Sequence, residues 1–435
     1  MIRKIRSNWL PIVLTIAILV SLGLSFLIWT NPSRFGKEHD SSSSSSTSQL
    51  TSKTIADTFL PNQVVRNGKT GGQSLLYAKK SNLSSTVQAQ VEKMAFGHIT
   101  KISNGDDQRF LAVLNQKDAL VLNYPSSITT SIFNETFKQS VNQKKISEID
   151  QIVIPTNGSH EVYLLKDGSL TVYRVRIKGK PDYDKIKQVA KKSTERIKVD
   201  EQLLNKRVII AFPKKTSVPV YSYMMTKTSD SSFTNALLDT SSSSSVSVHK
   251  KGSVTTYTDG SDKRMTINSK NGKATYENFL SRTDQVAENQ FLTKSFKQLS
   301  KIGISLENIR YDEMSTKNRE VTYRTYVEDF PIYNDRGYGT VNFKYSKSGK
   351  QTYHFSLYSL EVPIPNNSKQ SIPSTEDVLS SLNNAGIKTA DIQDMRIEYE
   401  WGNSRKSNSV INLKPAYYVK YQGKWSNYET LINNK

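Results

Sequence analysis

The run from Leu10 to Trp29 constrains this chain more than any other feature. No charged residue occurs between Ser7 and Ser33, and the segment Leu10–Trp29 is almost wholly apolar. At about 1.5 Å per helical residue it matches the roughly 30 Å hydrocarbon core of a bilayer. Arg3, Lys4 and Arg6 precede it, whereas Arg34, Lys37, Glu38 and Asp40 follow as a nearly balanced set. The positive-inside rule therefore predicts a cytoplasmic tail at 1–8, a transmembrane helix at 9–30 and an extracytoplasmic remainder. The expected location is the cell membrane, single-pass. Trp9 and Trp29 stand where interface anchors belong. A cleaved signal peptide needs a shorter apolar core and small residues at the cleavage site, but Phe26-Leu27-Ile28-Trp29 is bulky. Ala17, Ser21 and Ser25 recur at i, i+4, i+8, a small-residue face on which a partner helix could pack closely.

Everything else in the composition is that of a polar, folded exterior. With 435 residues and 36% hydrophobic content, the chain is too polar for a multi-span membrane protein and long enough for about three domains. It has no Cys, which rules out disulfides, thiolate zinc sites and a cysteine nucleophile. In an exported chain that fits a Gram-positive envelope. Residues 31–52, with Ser41–Ser46, read as a Ser-rich linker. The expected organisation is an N-terminal α+β domain at 53–158, a middle α+β domain at 159–284 and a C-terminal domain at 285–435.

The fold class expected outside the membrane is α+β, with antiparallel sheets and packed helices. A helix capped by Ser85 carries Val87, Val91, Met94 and Ala95 to a stop at Gly97. Phe133, Phe137 and Val141 form a second stripe, and a third helix opens at Pro181 with Ile186, Val189 and Ala190 inward. Asp167-Gly168 and Asn271-Gly272 predict tight hairpin turns. Lys347-Ser-Gly349 predicts another hairpin, and the stretch Ser229–Val248, with Ser241–Ser245, a long loop. Leu299-x-x-Ile302-Gly303-Ile304 is echoed by Leu382-x-x-Ala385-Gly386-Ile387, and Pro331-Ile332-Tyr333 by Pro415-Ala416-Tyr417 at nearly the same offset. The C-terminal domain is accordingly expected as two helix-plus-strand units capped at Gly303 and Gly386. A looser echo, Val121-Leu-Asn-Tyr124-Pro125 against Ile209-Ile-Ala-Phe212-Pro213, suggests two related domains before it.

Motifs for chemistry are missing. His39, His98, His160, His249 and His354 show no metal-ligand spacing. No nucleophile elbow, P-loop or dinucleotide fingerprint occurs. The S-x-x-K at Ser247–Lys250 borders the poly-Ser stretch, a solvated context in which a lysine is not activated. Asp106-Asp107 follow Asn104-Gly105 and read as a turn. The expectation is a non-enzyme without metal or cofactor. Residues 1–40 hold five Lys+Arg against two Asp+Glu, which leaves +18 of the total +21 outside the membrane. The anionic partners there are lipid headgroups and wall polymers, and no nucleic-acid motif is present.

The basic tail with its Trp-flanked anchor and Phe59-Leu60-Pro61-Asn62-Gln63-Val64-Val65 resemble the YycH family of membrane-anchored regulators from Gram-positive bacteria. So do Phe330-Pro331-Ile332-Tyr333, Leu413-Lys-Pro415-Ala-Tyr417-Tyr418-Val419-Lys420 and Gly423-Lys424-Trp425. Tyr417 stands where the family pattern is expected to carry Trp. The C-terminal part is also similar to the sister protein YycI. The resemblance implies a complex with YycI on the sensor kinase of the WalK–WalR (YycG–YycF) system, which controls wall metabolism, with the transmembrane helix contributing to kinase control. The competing expectation is an independent protein that binds or remodels anionic wall polymers, for which any anchor of equal length would serve.

Overall fold

Strands with two apolar faces build this molecule. Along Ala119–Thr129, Leu120 and Leu122 enter one core while Ala119 and Val121 enter another, because successive strand side chains point to opposite faces. A sheet of such strands must be covered on both sides. The computed structural model describes residues 53–77, 83–192, 195–238, 246–260, 262–279, 285–404 and 407–433. The anchor, its Ala17, Ser21 and Ser25 face, Trp9, Trp29 and the Ser-rich linker lie outside the described residues. Among the described residues no helix is long and apolar enough to cross a membrane.

The first sheet has nine strands. They are β1 (Gln63–Asn67), β2 (Gln73–Tyr77), β3 (Phe96–Ser103), β4 (Ala119–Thr129) and β5 (Glu148–Pro155). β6 (Glu161–Lys166), β7 (Thr171–Ile177), β8 (Glu195–Leu204) and β9 (Arg207–Ala211) complete it. All neighbours in the order β3-β7-β6-β5-β4-β1-β2-β8-β9 are antiparallel. The helices of this half are α1 (Ile55–Thr58), α2 (Leu83–Val91), α3 (Asp107–Leu114), α4 (Thr130–Phe137) and α5 (Tyr183–Lys192). Val87 and Val91 of α2, Phe133 and Phe137 of α4, and Ile186 and Val189 of α5 cover one face. Phe110 and Leu114 of α3 lie in the core on the other face, together with C-terminal residues.

The second sheet has fourteen strands. β11 (Tyr221–Lys227), β12 (Ser247–Lys251), β13 (Val254–Asp259), β14 (Lys263–Asn268) and β15 (Lys273–Asn278) come first along the chain. β16 (Ile309–Ser315), β17 (Glu320–Val327), β18 (Phe330–Tyr333), β19 (Thr340–Tyr345) and β20 (Gln351–Ser356) follow. The last are β21 (Tyr358–Ile364), β23 (Ile392–Ser404), β24 (Ser407–Tyr421) and β25 (Lys424–Asn427). Separately, β10 (Thr216–Pro219) pairs with β22 (Lys369–Ile372). The helices of this half are α6 (Asp230–Leu237), α7 (Phe291–Leu299), α8 (Thr375–Asn384) and α9 (Tyr428–Asn433). Pairing is antiparallel except where β18 runs parallel to β23. The class is α+β with antiparallel sheets.

Several expectations shift in detail. The limit at 158/159 falls between β5 and β6, which pair at Gln151–Leu165. The limit at 284/285 separates β15 from its partner β20. The segments Val121–Pro125 and Ile209–Pro213 belong to strands, or strand ends, of one sheet rather than to two domains. The stretch 229–248 holds α6 and the start of the exposed edge strand β12, while Ser241–Ser245 lie outside the described residues. α2 starts before Ser85, and the chain turns at left-handed Ala95 (φ 47°) while Gly97 enters β3. Val141 is buried beyond the end of α4. Asp106 is an N-cap, accepting from the Arg109 N–H, and not merely a turn residue.

Gly303 and Gly386 both have positive φ, 88° and 84°, each after a helix and before a strand. Their settings differ. Gly386 lies two residues past α8, where Ile387 N–H closes onto Leu382 C=O, whereas Gly303 lies four past α7. α7 and α8 also bury their apolar faces in separate cores. Pro331 sits in the short β18 and Pro415 inside the long β24, so the two Pro-x-Tyr segments do not occupy matching positions.

Candidate functional site at the junction of the two sheets

Hairpin chemistry places the first element. β8 and β9 pair so that Leu204 faces Arg207, leaving Asn205 and Lys206 as a two-residue turn with φ of 49° and 66°. That is the mirror-image turn favoured by strand twist, and Asn tolerates its left-handed backbone. The turn projects onto the second sheet. Asn205 Nδ2 donates to the carbonyls of Thr389, Ala390 and Ile392 at 2.8, 3.2 and 2.7 Å. Arg207, the next residue, reaches three carboxylates. Its Nη1 is 3.0 Å from Asp150 and 3.3 Å from Asp167, and its Nε is 3.3 Å from Asp394 of β23. Nη2 donates to Pro125 C=O at 2.6 Å. One side chain thus clamps β5, the β6–β7 loop and β23.

The electrostatics of this clamp are uneven. Burial raises the Asp167 carboxyl, the Asp150 charge adds to that, and Arg207 only partly offsets them, which leaves it at about 7. Burial also raises Asp394 against the pull of Arg207 and Arg396. On β8, Glu201 is pushed by burial to about 8, although Asn123 and Gln73 both donate to it. Beside the clamp is a cavity of about 50 Å³ lined in part by Asn123, Tyr124, Gln151, Arg207, Asp394 and Arg396. Such a space accommodates a few waters and excludes an organic substrate.

A second network sits next to it. Asp312, fully buried on β16, accepts from Arg324 Nε at 2.8 Å, Arg396 Nη2 at 3.0 Å and the Tyr326 hydroxyl at 2.9 Å. Burial alone would raise this carboxyl, but the two guanidiniums hold it down at about 2. Arg396 Nε also donates to buried Glu398 at 2.7 Å, and its guanidinium lies 4.2 Å from the Trp425 ring centre. Two cations face two acids.

The motif segments singled out in the sequence converge here. Asn62 Nδ2 donates to the Tyr326 hydroxyl at 2.6 Å, and Phe59 packs 5.2 Å from Tyr311 and 6.0 Å from Tyr323. Tyr333 packs against Tyr418 with ring centres 4.5 Å apart and planes tilted by 45°, donates to Trp425 C=O at 3.0 Å and lies under Arg324. Lys420 and the Trp425 indole N–H both bond Glu313. Gln422 and Gly423, with φ of 51° and 78°, form the tight turn that folds Trp425 back. The Tyr417 hydroxyl bonds Thr375 at 2.9 Å.

Arg324, Arg396 and Arg207 are committed to carboxylates or carbonyls. Among the described residues no group of His, Asp and Glu is arranged to hold a metal ion. His354 bonds Thr275 on the outer face of β15 and β20, and Ser247–Lys250 occupies the exposed β12. Sequence reasoning missed Asn205, Arg207, Asp150, Asp167, Asp394 and Asp312. The available signal was Asn205 between two strand-like runs.

Two family models match the chain: the YycH protein N-terminal domain over residues 7–195 and the YycH protein C-terminal domain over residues 206–435. The unmatched residues between them, 196–205, hold most of β8 and Asn205 of the turn, and Arg207 falls in the C-terminal match. The crystal structure of YycH from Bacillus subtilis is similar, with a TM-score of 0.68 at 16% identity, over 87% of this chain and 98% of that one. At that identity the likeness speaks for the fold. No curated protein matches significantly.

Proposed function

The chain belongs to the YycH family, and we propose from this that it is a membrane-anchored, non-enzymatic regulator of a sensor histidine kinase of the WalK/YycG type, acting together with YycI. The observation that carries this reading is the pair of family matches, which leaves only residues 1–6 and 196–205 unmatched. The junction chemistry is compatible with it, since the Arg207 clamp joins the two sheets through ion pairs to Asp150, Asp167 and Asp394. In this reading 9–30 is the anchor, with Trp9 and Trp29 at its interfaces, and the body from residue 53 onward is extracytoplasmic.

In this reading control passes through helix packing in the bilayer or through contacts outside it. The Ala17, Ser21, Ser25 face serves the first route, because small residues let helices approach. The test is kinase output in cells carrying Ser21→Leu with Ser25→Leu, against Ile18→Leu with Leu22→Ile on another face. The expected result is altered output from the first pair alone, at equal protein level, and co-purification of the unmodified protein with a histidine kinase from detergent. Normal output from both pairs removes the face from the mechanism. Failure to co-purify, together with full function on an unrelated anchor, favours independent binding of anionic wall polymers.

A further inference from the structure

We propose that residues 53–62 form a load-bearing strap, which carries a pull arriving from the membrane side into the second sheet before the first sheet feels it. The source of the pull is the anchor read at 9–30, so the strap rests on that reading. Lys53 Nζ donates to the carbonyls of Glu307 and Ile309 at 3.2 and 2.5 Å. Ile309 opens β16, in the second sheet. Thr54 and Asp57 then close a capping box. The Thr54 hydroxyl accepts from the Asp57 N–H at 3.1 Å, and the Asp57 carboxylate accepts from the Thr54 N–H at 3.3 Å. The box fixes α1, which is too short to hold as a helix by itself.

Phe59 follows α1 and is fully buried. Its ring lies against Phe296 of α7, Tyr311 of β16 and Tyr323 of β17, all from the second half. Asn62 ends the strap and holds both halves. Its Nδ2 donates to Tyr311 C=O at 3.2 Å and to the Tyr326 hydroxyl at 2.6 Å. Its backbone N–H donates to Asn123 C=O of β4 at 2.9 Å. The next residue opens β1, an inner strand of the first sheet with β2 on one side and β4 on the other.

The order of these attachments decides what yields. A pull along the chain from residue 52 meets the Lys53 bonds, then α1, then Phe59, then Asn62. Each is a local attachment that breaks by itself. β1 differs, because ladder bonds run perpendicular to the strand and a pull along it loads both ladders at once. The strap therefore yields first. Its release takes the Phe59 ring from between α7, β16 and β17. It also takes Asn62 from the Tyr326 hydroxyl, which bonds Asp312 at 2.9 Å. The second sheet loses packing and a hydrogen-bond partner beside its buried ionic network, while the first sheet keeps its pairing.

The experiment pulls on the full-length protein in detergent micelles with magnetic tweezers. The chain has no Cys, so DNA handles go on Ser48→Cys and on Lys347→Cys, the second between β19 and β20. Expected is a reversible first step, at lower force than unfolding of the body, that frees residues 53–62, at most about 35 Å of chain. Lys53→Met should speed that step about tenfold, since two charged hydrogen bonds are lost. Unfolding without an early step, or an early step that Lys53→Met leaves unchanged, overturns the strap. If Lys53→Met does not fold, the early step in the chain that keeps Lys53 decides. Hydrogen exchange at rest gives a second readout. Lys53→Met should lose protection in peptides covering 309–327 and keep it in 161–177; loss in both alike, or in neither, overturns the proposal. Because the tweezers supply the pull themselves, failure here removes the strap and leaves the anchor reading to the kinase-output test.

Discussion

Asp312→Asn removes one negative charge from the most deeply buried ionic network of the molecule and changes almost nothing in shape. The carboxylate takes bonds from Arg324, Arg396 and Tyr326, all between 2.8 and 3.0 Å. An amide keeps one acceptor oxygen but presents an N–H₂ to a guanidinium. Arg324 and Arg396 are then left with Glu398 alone, an uncompensated buried cation. Breaking a buried pair in this way costs about 3–5 kcal/mol, a large share of the roughly 5–15 kcal/mol that holds a typical domain together. The assay is urea unfolding of the full-length protein in micelles, followed by tryptophan fluorescence, with Trp425 stacked on Arg396 as a local reporter. At an m-value of about 3 kcal/mol/M the midpoint should fall by roughly 1 M or more. Acid supplies an independent arm. Because Asp312 is held at about 2, below its ordinary 3.8, its contribution is present above pH 4 and lost as pH falls through 2. That is roughly 2–3 kcal/mol, and the Asn variant should lack it. A midpoint shift under about 0.3 M at unchanged m-value, with an unaltered acid limb, would refute the assignment of this network as a buried ionic tie among β16, β17 and β23.

Further substitutions probe neighbouring parts. Asn205→Ala should cost about 1–3 kcal/mol, because three carbonyls lose their donor and the residue keeps its left-handed φ; Asn205→Gly should recover about 1 kcal/mol of this, and equal losses in urea midpoints would contradict the backbone share. Phe59→Ala empties a fully buried site between Phe296, Tyr311 and Tyr323 and should cost about 3–5 kcal/mol, read as a drop in melting temperature. Gly386→Ala should cost only about 1 kcal/mol, since a Cβ there meets nothing within 4 Å and strain comes from φ alone. Gly272→Ala should cost more in the same melt, because its Cβ would collide with the Tyr358 ring.

Where local rules and tertiary demands agree, the fold was legible in the sequence. Ile186, Val189 and Ala190 mark a helix because one face alone is apolar, and that face is buried. Hairpins were legible as hairpins but not by turn type. Asp167-Gly168 predicts a two-residue turn, yet Lys166 pairs with Thr171 across four residues, with Gly168 and Leu170 both left-handed. Asp167 is drawn inward to Arg207, and the loop lengthens to let it. The two-residue turn at Asn205-Lys206 carries no glycine and so escaped notice. Domain limits were hard to read because both faces of the first sheet are buried, one of them against residues from beyond position 300. The candidate site was illegible for a general reason. Asp150, Asp167, Arg207 and Asp394 are common surface residue types scattered over 245 positions of chain, and only pairing between distant strands brings them together. The motif segments were legible, but not why: Asn62, Tyr333, Lys420 and Trp425 serve one buried network.

The two networks differ in one respect that bears on regulation. Around Asp312, two guanidiniums meet two carboxylates, and the aromatic faces of Tyr333 and Trp425 cover the cations. Its ionic state is insensitive to ordinary changes of pH, because the carboxyl at its centre lies near 2. Around Arg207, one guanidinium meets three carboxylates, one of which lies near 7. A protein that controls a partner through contact alone needs a body rigid enough to transmit force and at least one seam able to change. The Asp312 network supplies the rigidity, tying the segment at Phe59–Asn62 to β16 and β17. The Arg207 clamp is the less evenly balanced of the two, one guanidinium against three carboxylates. A disturbance of this clamp would be felt first between residues 205–207 and 389–394, where the β8–β9 turn meets the start of β23.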